Sequence, residues 1–360
     1  MNKEKKKNGF CLTEKDKLLI TNYSLFQKSN KLKFKSFKYI KNKVLFFIIV
    51  FFFLTFNKSR FINHNLNHIH IAMSLNDNYI YIIMVSITSI LLNSNNNTFI
   101  QFHLLIGNDV KIENQNKITS LKRLNHNSNF TFYNVGNIFN GWKHNRKRIT
   151  VATFYRSIVG ELIKNVDKII YLDGDTLTYG DLSEMYQLNM HNLYFRGIKE
   201  LVRNKYFGEG KDVSKFICAG VMLINLKLIR EDHLFDTFKN YYLKFYNKKI
   251  YYDDQYIINV LFINKINFLP PKFGIWFMTE QYIKKYESLK PLIYSRNDLI
   301  IANNKPIIRH LWGITKEGFD LSRKPWNLNK DCQIKKDWQY YANKTGYYSS
   351  ICEIYKTVCN

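Results

Sequence analysis

Two carboxylates with the spacing of a metal site follow a short apolar run near the middle of the chain. Asp173 and Asp175 flank Gly174 and come directly after Lys168–Leu172, which reads Lys-Ile-Ile-Tyr-Leu. Hard oxygen ligands of this kind suit Mn²⁺ or Mg²⁺, which could bridge to the phosphates of a bound nucleotide. An isolated Asp-x-Asp is more often an ordinary turn, but the position after a buried strand favours a metal site. Gly174 would let a ligand approach the backbone.

A third ligand for the same metal is predicted much later in the chain. His310 ends a strand-like run, and Gly313 and Lys316 follow it at His-x-x-Gly-x-x-Lys spacing. A lone histidine at a strand end is more often structural, so the metal assignment depends on the lysine that follows. Together an imidazole for the metal and an ammonium for a diphosphate would neutralise a leaving group.

A further acidic pair opens a predicted helix at Asp253, Asp254 and Gln255. These residues could act as an N-cap with a favourable helix-dipole interaction, or they could bind a sugar. The two roles are compatible, and both stay open at this point.

Strands and helices alternate along the chain and bring the polar clusters to one edge. The first predicted strand, residues 69–73, ends at Asn76, Asp77 and Asn78. Further strands are predicted over 99–106, 130–133, 168–172, 193–198 and 216–225, and near 266 and 307. Helices are predicted over 79–92, 110–124 and 150–164. After residue 225, one more helix is predicted to end at about residue 246, and a shorter one to begin at residue 253. This alternation indicates an α/β domain with a largely parallel sheet, whose ligands bind at the carboxyl ends of its strands.

The N-terminal region carries the one membrane signal. Residues 1–43 form a predicted basic cytosolic arm, 44–56 an uncharged apolar stretch and 57–67 a tether. Thirteen helical residues span roughly 20 Å against a bilayer core of about 30 Å, and a signal-peptide core fits the length equally well. Because no small-x-small cleavage pattern follows, an uncleaved anchor is preferred. We expect a single-pass type II membrane protein whose main domain lies in the Golgi or endoplasmic reticulum lumen.

Charge and cysteine content exclude two other classes of protein. The net charge is +26, and residues 1–60 hold 15 basic against 3 acidic side chains. The excess positive charge on the rest of the chain is interpreted as a solvated basic surface. Because no nucleic-acid-binding module is recognisable, we expect no nucleic-acid partner. Five cysteines without C-x-x-C spacing argue against a structural zinc site. No linker divides residues 68–330, the predicted catalytic domain, and 331–360 are taken as a C-terminal tail.

Four sequence blocks in a fixed order connect these features. The blocks are 76–79, 153–156 leading to 171–175, 219–225, and Asp254-Gln255 followed by His310-x-x-Gly313. Together they resemble glycosyltransferase family 8, a family of retaining enzymes, over residues 69–326. The resemblance implies a GT-A, Rossmann-like nucleotide-sugar domain with a mixed, mainly parallel sheet, preceded here by the short N-terminal membrane segment.

The resemblance also implies a reaction and its cofactor. The donor would be a UDP-sugar, and Asp173, Asp175 and His310 would hold Mn²⁺ or Mg²⁺. A hexose or pentose would pass to a glycan, glycolipid or glycoprotein acceptor.

Further site residues follow from the same resemblance. The donor-binding residues would be Asn76, Asn78, Arg156, Gly174, Gly313, Lys316 and Lys324. Asn76 and Asn78 would lie against the nucleoside, and Arg156 would reach the donor. Asp254 and Gln255 would face the transferred sugar, with Gln255 acting as a nucleophile or as a dipole that stabilises an oxocarbenium-like transition state. A same-face attack guided by the leaving diphosphate is the other possibility.

Four departures from the family pattern leave an alternative function open. Asn76 replaces the usual first carboxylate, Cys218 stands where an asparagine commonly precedes Ala-Gly-Val, and Tyr256 replaces an aspartate. Lys-Pro-Trp begins at Lys324, later than usual, so either Lys316 or Lys324 could meet the diphosphate, and Lys324 is preferred because Pro and Trp accompany it. The alternative is a catalytically silent sugar-nucleotide-binding or scaffold protein with the same fold.

Overall fold

The computed structural model describes residues 66–144, 149–200, 215–246, 253–275, 280–287, 292–311, 314–315, 318–319, 324–327 and 332–356. All of these residues belong to one compact unit, Leu66–Asn360. The predicted arm 1–43, the apolar segment 44–56 and nearly all of the tether 57–67 lie outside the described residues.

A seven-stranded sheet in the order β3-β2-β1-β4-β7-β6-β8 carries the candidate site. Its strands are β1 Asn67–Leu75, β2 Thr98–Ile106, β3 Ser128–Asn134, β4 Lys168–Leu172, β6 Phe195–Lys199, β7 Ile217–Asn225 and β8 Ile266–Phe268. β1 to β4 run parallel, β7 is antiparallel to both of its neighbours, and β6 and β8 are parallel. The predicted mixed, mainly parallel α/β sheet is confirmed.

Two small antiparallel ribbons accompany the main sheet. In the first, β5 Thr176–Thr178 pairs with β9 Ile308–His310. The second joins β10 Ile314–Thr315 to β11 Gly318–Phe319. The first ribbon brings a late part of the chain back to the end of β4.

Helices connect the strands and follow them. They are α1 Ile80–Asn93, α2 Ile112–Thr119, α3 Val159–Leu162, α4 Ser183–Gln187, α5 Leu226–Glu231, α6 Leu234–Phe245, α7 Asp254–Phe262, α8 Glu280–Glu287, α9 Arg296–Asn304, α10 Gln333–Lys344 and α11 Tyr348–Ile354. Single 3₁₀ turns or short 3₁₀ runs cover Asp77–Tyr79, Ser120–Leu124, Val151–Ile158, Ile263–Lys265, Pro271–Phe273 and Pro325–Asn327.

Both faces of the sheet are buried, as the continuous apolar strands predict. Successive side chains of a strand point to opposite faces. Ile71 and Met73 of β1 therefore join one core with α1, whereas Ala72 joins a second core. Phe238 of α6 and Ile257 of α7 belong to that second core. The sheet is thus fixed from both sides, and its carboxyl edge is left for the site.

Two predicted helices differ from the structure in their regularity. Residues 150–164 form a 3₁₀ run followed by the four-residue helix α3. The helix expected to reach residue 246 is divided into α5 and α6 at His233, whose φ of 50° is left-handed. A left-handed residue cannot continue an α-helix, so the chain changes direction there.

The expected cellular placement is corrected by the structure. Within the described ranges, no helix is both long and apolar enough to cross a membrane. The longest described helix, α1, has 14 residues, fewer than the roughly 20 that a bilayer requires. The expectation of a single-pass type II protein in the Golgi or endoplasmic reticulum, with the membrane as a partner through residues 44–56, rested on a segment outside the described ranges and is withdrawn.

Candidate active site

The turn that carries the two carboxylates is held between two strands. Asp173 follows the buried strand β4, and its N–H donates to the carbonyl of Gly220 in β7 at 2.8 Å. The carbonyl of Asp175 accepts from the N–H of Leu311, just past β9, at 2.7 Å. Both carboxylates are therefore anchored at the carboxyl edge of the sheet, where ligands bind in α/β folds.

Three side chains meet at this edge with the chemistry of a divalent metal site. His310, the last residue of β9, lies with Nε2 3.1 Å from Asp175 Oδ1 and 3.9 Å from Asp173 Oδ2. The candidate ligand atoms of the three residues lie within 4.8 Å of one another. Two carboxylates and an imidazole fit Mn²⁺ or Mg²⁺. The structure thus brings together the three residues that the sequence assigned to the metal.

A glycine in β7 makes room for this cluster. A Cβ on Gly220 would lie 2.2 Å from His310 Cε1 and 2.6 Å from Asp173 Oδ2. Both distances are far below van der Waals contact, so a side chain at this position would displace two candidate ligands. Sequence reasoning gave Gly220 no role, although a glycine inside an apolar strand is itself a signal of close approach.

Arg156 is a buried residue that contacts two acidic side chains of the site. Its Nη2 lies 2.8 Å from Asp173 Oδ1 and its Nε 2.9 Å from Asp254 Oδ2, and Nη1 donates to the carbonyl of Ala219. The guanidinium also lies over the ring of Tyr171 at 4.6 Å. Burial opposes its charge, but the electrostatic effects of Asp173, Tyr171 and Asp254 outweigh burial and raise its pKa further. Arg156 therefore links the metal-site carboxylate to the acidic residue of α7.

Lys324 reaches the same cluster from the turn at Pro325–Asn327. Its Nζ pairs with Asp175 Oδ2 and donates to the carbonyl of Leu311 at 2.5 Å. The residue is buried, so the ammonium is directed into the site. Lys316 and Gly313 lie outside the described residues. Of the two lysines considered for the diphosphate, the one that the structure describes stands at the metal cluster.

The two carboxyls of the turn differ in acidity. Burial raises the pKa of Asp173, and the Arg156 charge offsets only part of this effect. Burial also opposes ionisation of Asp175, but Lys324 and His310 outweigh it and hold that pKa well below its usual range. Asp175 therefore stays ionised in more acidic solution than Asp173 does.

Gln255 lies at the start of α7, beside β7. Asp253 caps the helix, accepting from the Tyr256 N–H at 2.8 Å. Gln255 Oε1 accepts from the N–H of Ala219 at 3.0 Å. The predicted cap and the predicted site residues therefore occupy consecutive positions, and the two roles are compatible.

Two partners of this region were missed by sequence reasoning. Glu200 Oε2 accepts from Gln255 Nε2 at 2.6 Å. Asn259 is fully buried and clamps Ile217, accepting from its N–H at 2.7 Å and donating to its carbonyl at 2.8 Å. Neither residue lies in a recognisable motif, and only the pairing of β6 with β7 brings Glu200 to α7.

The predicted nucleoside residues follow β1 at the same edge of the sheet. Asn76 Oδ1 is buried and has no hydrogen-bond partner within the described ranges, while Asn78 is exposed. Asp77 between them is used structurally, because its Oδ1 accepts from the Lys111 N–H at 3.2 Å and from Asn114 Nδ2 at 2.7 Å. A buried amide oxygen without a partner is costly and marks a place where a ligand could donate.

The structure shows the surroundings of Gly174 and Cys218, two residues that the sequence analysis singled out. A Cβ on Gly174 would lie 2.6 Å from Ile83 Cγ1, so this glycine is required for packing against α1. Cys218 is buried with Sγ 3.6 Å from His310 Nδ1. The departure at Cys218 therefore places a thiol against a candidate metal ligand.

Comparison with known proteins agrees with this geometry. The family model described as "Glycosyl transferase family 8" matches residues 70–316. A Haemophilus influenzae protein named "Putative glycosyltransferase" is 30% identical over 241 residues, covering 65% of this chain and 70% of the relative. The lipopolysaccharide 1,2-glucosyltransferase of Escherichia coli K12 is 24% identical over 304 residues, covering 79% of this chain and 88% of the relative.

Comparison with solved structures shows a similar fold. The galactosyltransferase LgtC, solved in complex with donor and acceptor sugar analogs, superposes with a TM-score of 0.62 at 23% identity, covering 77% of this chain and 96% of LgtC. At this identity the similarity concerns the fold alone, and it confirms the predicted GT-A fold.

Proposed function

Because the chain belongs to glycosyl transferase family 8, we propose that it moves a hexose or pentose from a UDP-sugar to an acceptor, with retention of anomeric configuration. The observation that carries this proposal is the meeting of Asp173, Asp175 and His310 at the carboxyl edge of the sheet. The glucosyltransferase among the relatives favours a glycan or glycolipid acceptor over a protein.

The candidate triad would hold Mn²⁺ or Mg²⁺, which when bound supplies positive charge to a leaving diphosphate. Lys324 supplies a second cation from this chain. Its ammonium is a compact donor that can turn from Asp175 to a phosphate oxygen. Lys316 remains the alternative source of that charge, and Gly313 would contact the donor near it.

The transferred sugar would lie between the metal cluster and α7. Arg156 fixes Asp173 and Asp254 relative to each other, since it pairs with both. Asp254 and Gln255 would face the sugar, with the amide dipole of Gln255 directed at developing positive charge.

The nucleoside would bind beside the turn that follows β1. The unpartnered Oδ1 of Asn76 supports this placement, because the N–H of a uracil base would satisfy it. Asn78, exposed on the same turn, would contact the nucleoside from its other side.

The test is donor hydrolysis by the full-length protein. We would measure UDP release from a panel of UDP-hexoses and UDP-pentoses, with Mn²⁺ and with EDTA. We expect release from one or a few donors in Mn²⁺ and none in EDTA. Loss of a metal ligand should cost at least about 100-fold, so Asp173→Asn and Asp175→Asn should be nearly inactive.

A surface carboxylate provides the matched control. Asp167 precedes β4, and its side chain is 80% exposed. Asp167→Asn should therefore keep wild-type activity. A folded wild-type protein that releases UDP from no donor, or Asp173→Asn and Asp175→Asn variants as active as wild type, would overturn the proposal.

A further inference from the structure

The side-chain amide of Gln255 is bound at both ends. Its Oε1 accepts from the backbone N–H of Ala219 at 3.0 Å, and its Nε2 donates to Glu200 Oε2 at 2.6 Å. A backbone N–H can only donate and an ionised carboxylate can only accept. The two partners therefore permit a single orientation of the amide, with its oxygen toward β7 and its nitrogen toward Glu200.

Glu200 is itself held rigidly. It follows β6 directly, and its N–H donates to the carbonyl of Phe216 at 2.8 Å. The residue is only 4% exposed, so its carboxylate is not a mobile surface group. A hydrogen bond to a carboxylate is roughly twice as strong as one between neutral groups. The contact with Gln255 therefore fixes the amide more firmly than Ala219 alone could.

The strand segment that binds this oxygen lies next to the metal cluster. Ala219, which binds it, precedes Gly220, and a Cβ on Gly220 would lie 2.2 Å from His310 Cε1. Gln255 also follows Asp254, which is tied through Arg156 to Asp173. The amide oxygen thus points toward β7, at the strand segment that lies beside His310 and Asp173.

We propose that Glu200 is a positioning residue for sugar transfer, which holds the Gln255 amide with its oxygen toward Ala219 of β7, the residue that precedes Gly220 beside the metal cluster. The proposal rests on the proposed transferase function. Glu200 acts through Gln255: it accepts the amide N–H and so keeps the negative end of the amide dipole where positive charge develops on the sugar. Its removal would leave the amide held by the Ala219 N–H alone.

A double-mutant cycle tests this role. We expect Glu200→Ala to lower kcat about 10- to 100-fold, as misplacement of a catalytic group does, with the donor KM within about threefold of wild type. Glu200→Gln keeps an oxygen that can accept the same N–H and should recover most of kcat. If Glu200 acts through Gln255, the double variant should be no slower than Gln255→Ala alone.

A surface glutamate serves as the control. The side chain of Glu184 is 59% exposed and pairs with Lys272. Glu184→Ala should leave kcat unchanged. A wild-type kcat in Glu200→Ala, or effects of Glu200→Ala and Gln255→Ala that multiply in the double variant, would overturn the proposal.

An NMR measurement separates this proposal from the function it rests on. In protein labelled with ¹⁵N-glutamine, the Gln255 side-chain signal is identified by its loss in Gln255→Ala. We expect one of its protons to be shifted downfield by the carboxylate, and Glu200→Ala, but not Glu184→Ala, to remove that shift. An unchanged Gln255 signal in Glu200→Ala would overturn the proposal. If wild type releases no UDP, the transferase function fails, and the NMR comparison alone decides whether Glu200 positions Gln255.

Discussion

At the scale of single residues, Gly220 leaves the space that His310 and Asp173 occupy. A Cβ there would collide with both side chains. We therefore expect Gly220→Ala to lower Mn²⁺ affinity at least about tenfold and to lower UDP release in parallel. Isothermal titration with Mn²⁺ and the donor-hydrolysis assay would measure the two effects.

Gly180 is the matched control for this substitution. A Cβ on Gly180 would lie 3.8 Å from Ile307, an ordinary contact. Gly180→Ala should bind Mn²⁺ as wild type does. Wild-type Mn²⁺ affinity in Gly220→Ala would contradict the placement of the metal between His310 and Asp173.

The site residues could be predicted from the sequence to the extent that they end apolar strands. Asp173 and Asp175 follow β4, and His310 ends β9, so the strand pattern and the family motif located all three. Glu200 could not be found in this way, because it lies 55 residues from Gln255 and meets it only through strand pairing. Gly220 lay within a recognised block, but its role depends on the side chains of Asp173, just after β4, and of His310 in β9.

At the scale of elements, the cap of α7 connects helix stability to the site. The Asp253 side chain accepts from the Tyr256 N–H at the first turn of α7. Asp253→Ala should lower the free energy of unfolding by about 1 kcal/mol, as the loss of an N-cap does. Because Gln255 stands in that turn, kcat should fall as well. Chemical denaturation and UDP release would measure the two effects.

The cap of α9 provides a control that separates the loss of stability from the loss of kcat. Ser295 accepts from the Asp298 N–H in a complete capping box. Ser295→Ala should cost about the same stability and leave kcat unchanged. If Asp253→Ala loses stability but keeps full kcat, the first turn of α7 does not position Gln255.

Three neighbouring strands share a chain of hydrogen-bonded rings that should make stability depend on pH. His103 binds His70 at 2.9 Å and Tyr133 at 3.0 Å. Burial lowers the pKa of His103 from 6.5 to about 4, and His70 adds to the shift. Between these values the unfolded chain binds more protons, so stability is complete above pH 6.5 and is lost as the pH falls toward 4.

Denaturation at pH 7.5, 6 and 5 would test this expectation. Each pH unit in the window should cost up to about 1.4 kcal/mol of unfolding free energy from His103. His103→Gln should flatten that dependence, whereas the exposed His126 should not affect it when changed to Gln. An equal pH dependence in wild type and His103→Gln would contradict the assignment.

The sequence located most elements but not their interruptions. Residues 150–164 have a helical pattern, yet the structure forms a 3₁₀ run in which the buried Arg156 bonds to Asp173, Asp254 and Ala219. The break between α5 and α6 at His233 has no glycine or proline to signal it. The contacts of Arg156 come from distant parts of the chain, so a local pattern does not contain them.

At the scale of the whole molecule, the C-terminal helices belong to the folded unit. Trp338 of α10 is 1% exposed and lies in one cluster with Ile82 and Val85 of α1. Trp338→Ala should lower the free energy of unfolding by about 3–5 kcal/mol, as the loss of a large core side chain does. Tyr340, 55% exposed on the same helix, is the control, and Tyr340→Ala should change stability little. A small effect of Trp338→Ala would contradict this packing.

The sequence alone gave residues 331–360 no packing role. The helical spacing of α10 is readable, but its partner is the outer face of α1, a segment that the sequence predicts as an apolar helix without indicating what covers it. α1 is buried nearly all round because the sheet covers one side and α10 the other. An apolar helix without a polar face indicates burial on both sides, and this signal could have predicted a covering element.

The most direct test of the account is metal binding by the full-length protein. Mn²⁺ would be titrated by electron paramagnetic resonance in the presence of UDP, for wild type and for Asp173→Asn, Asp175→Asn, His310→Ala and the control Asp167→Asn. We predict one Mn²⁺ bound by wild type and by Asp167→Asn, with affinity at least about 100-fold weaker in the other three variants. Equal Mn²⁺ binding by all five proteins, or none by wild type, would contradict the claim that this cluster is the metal site of a sugar transferase.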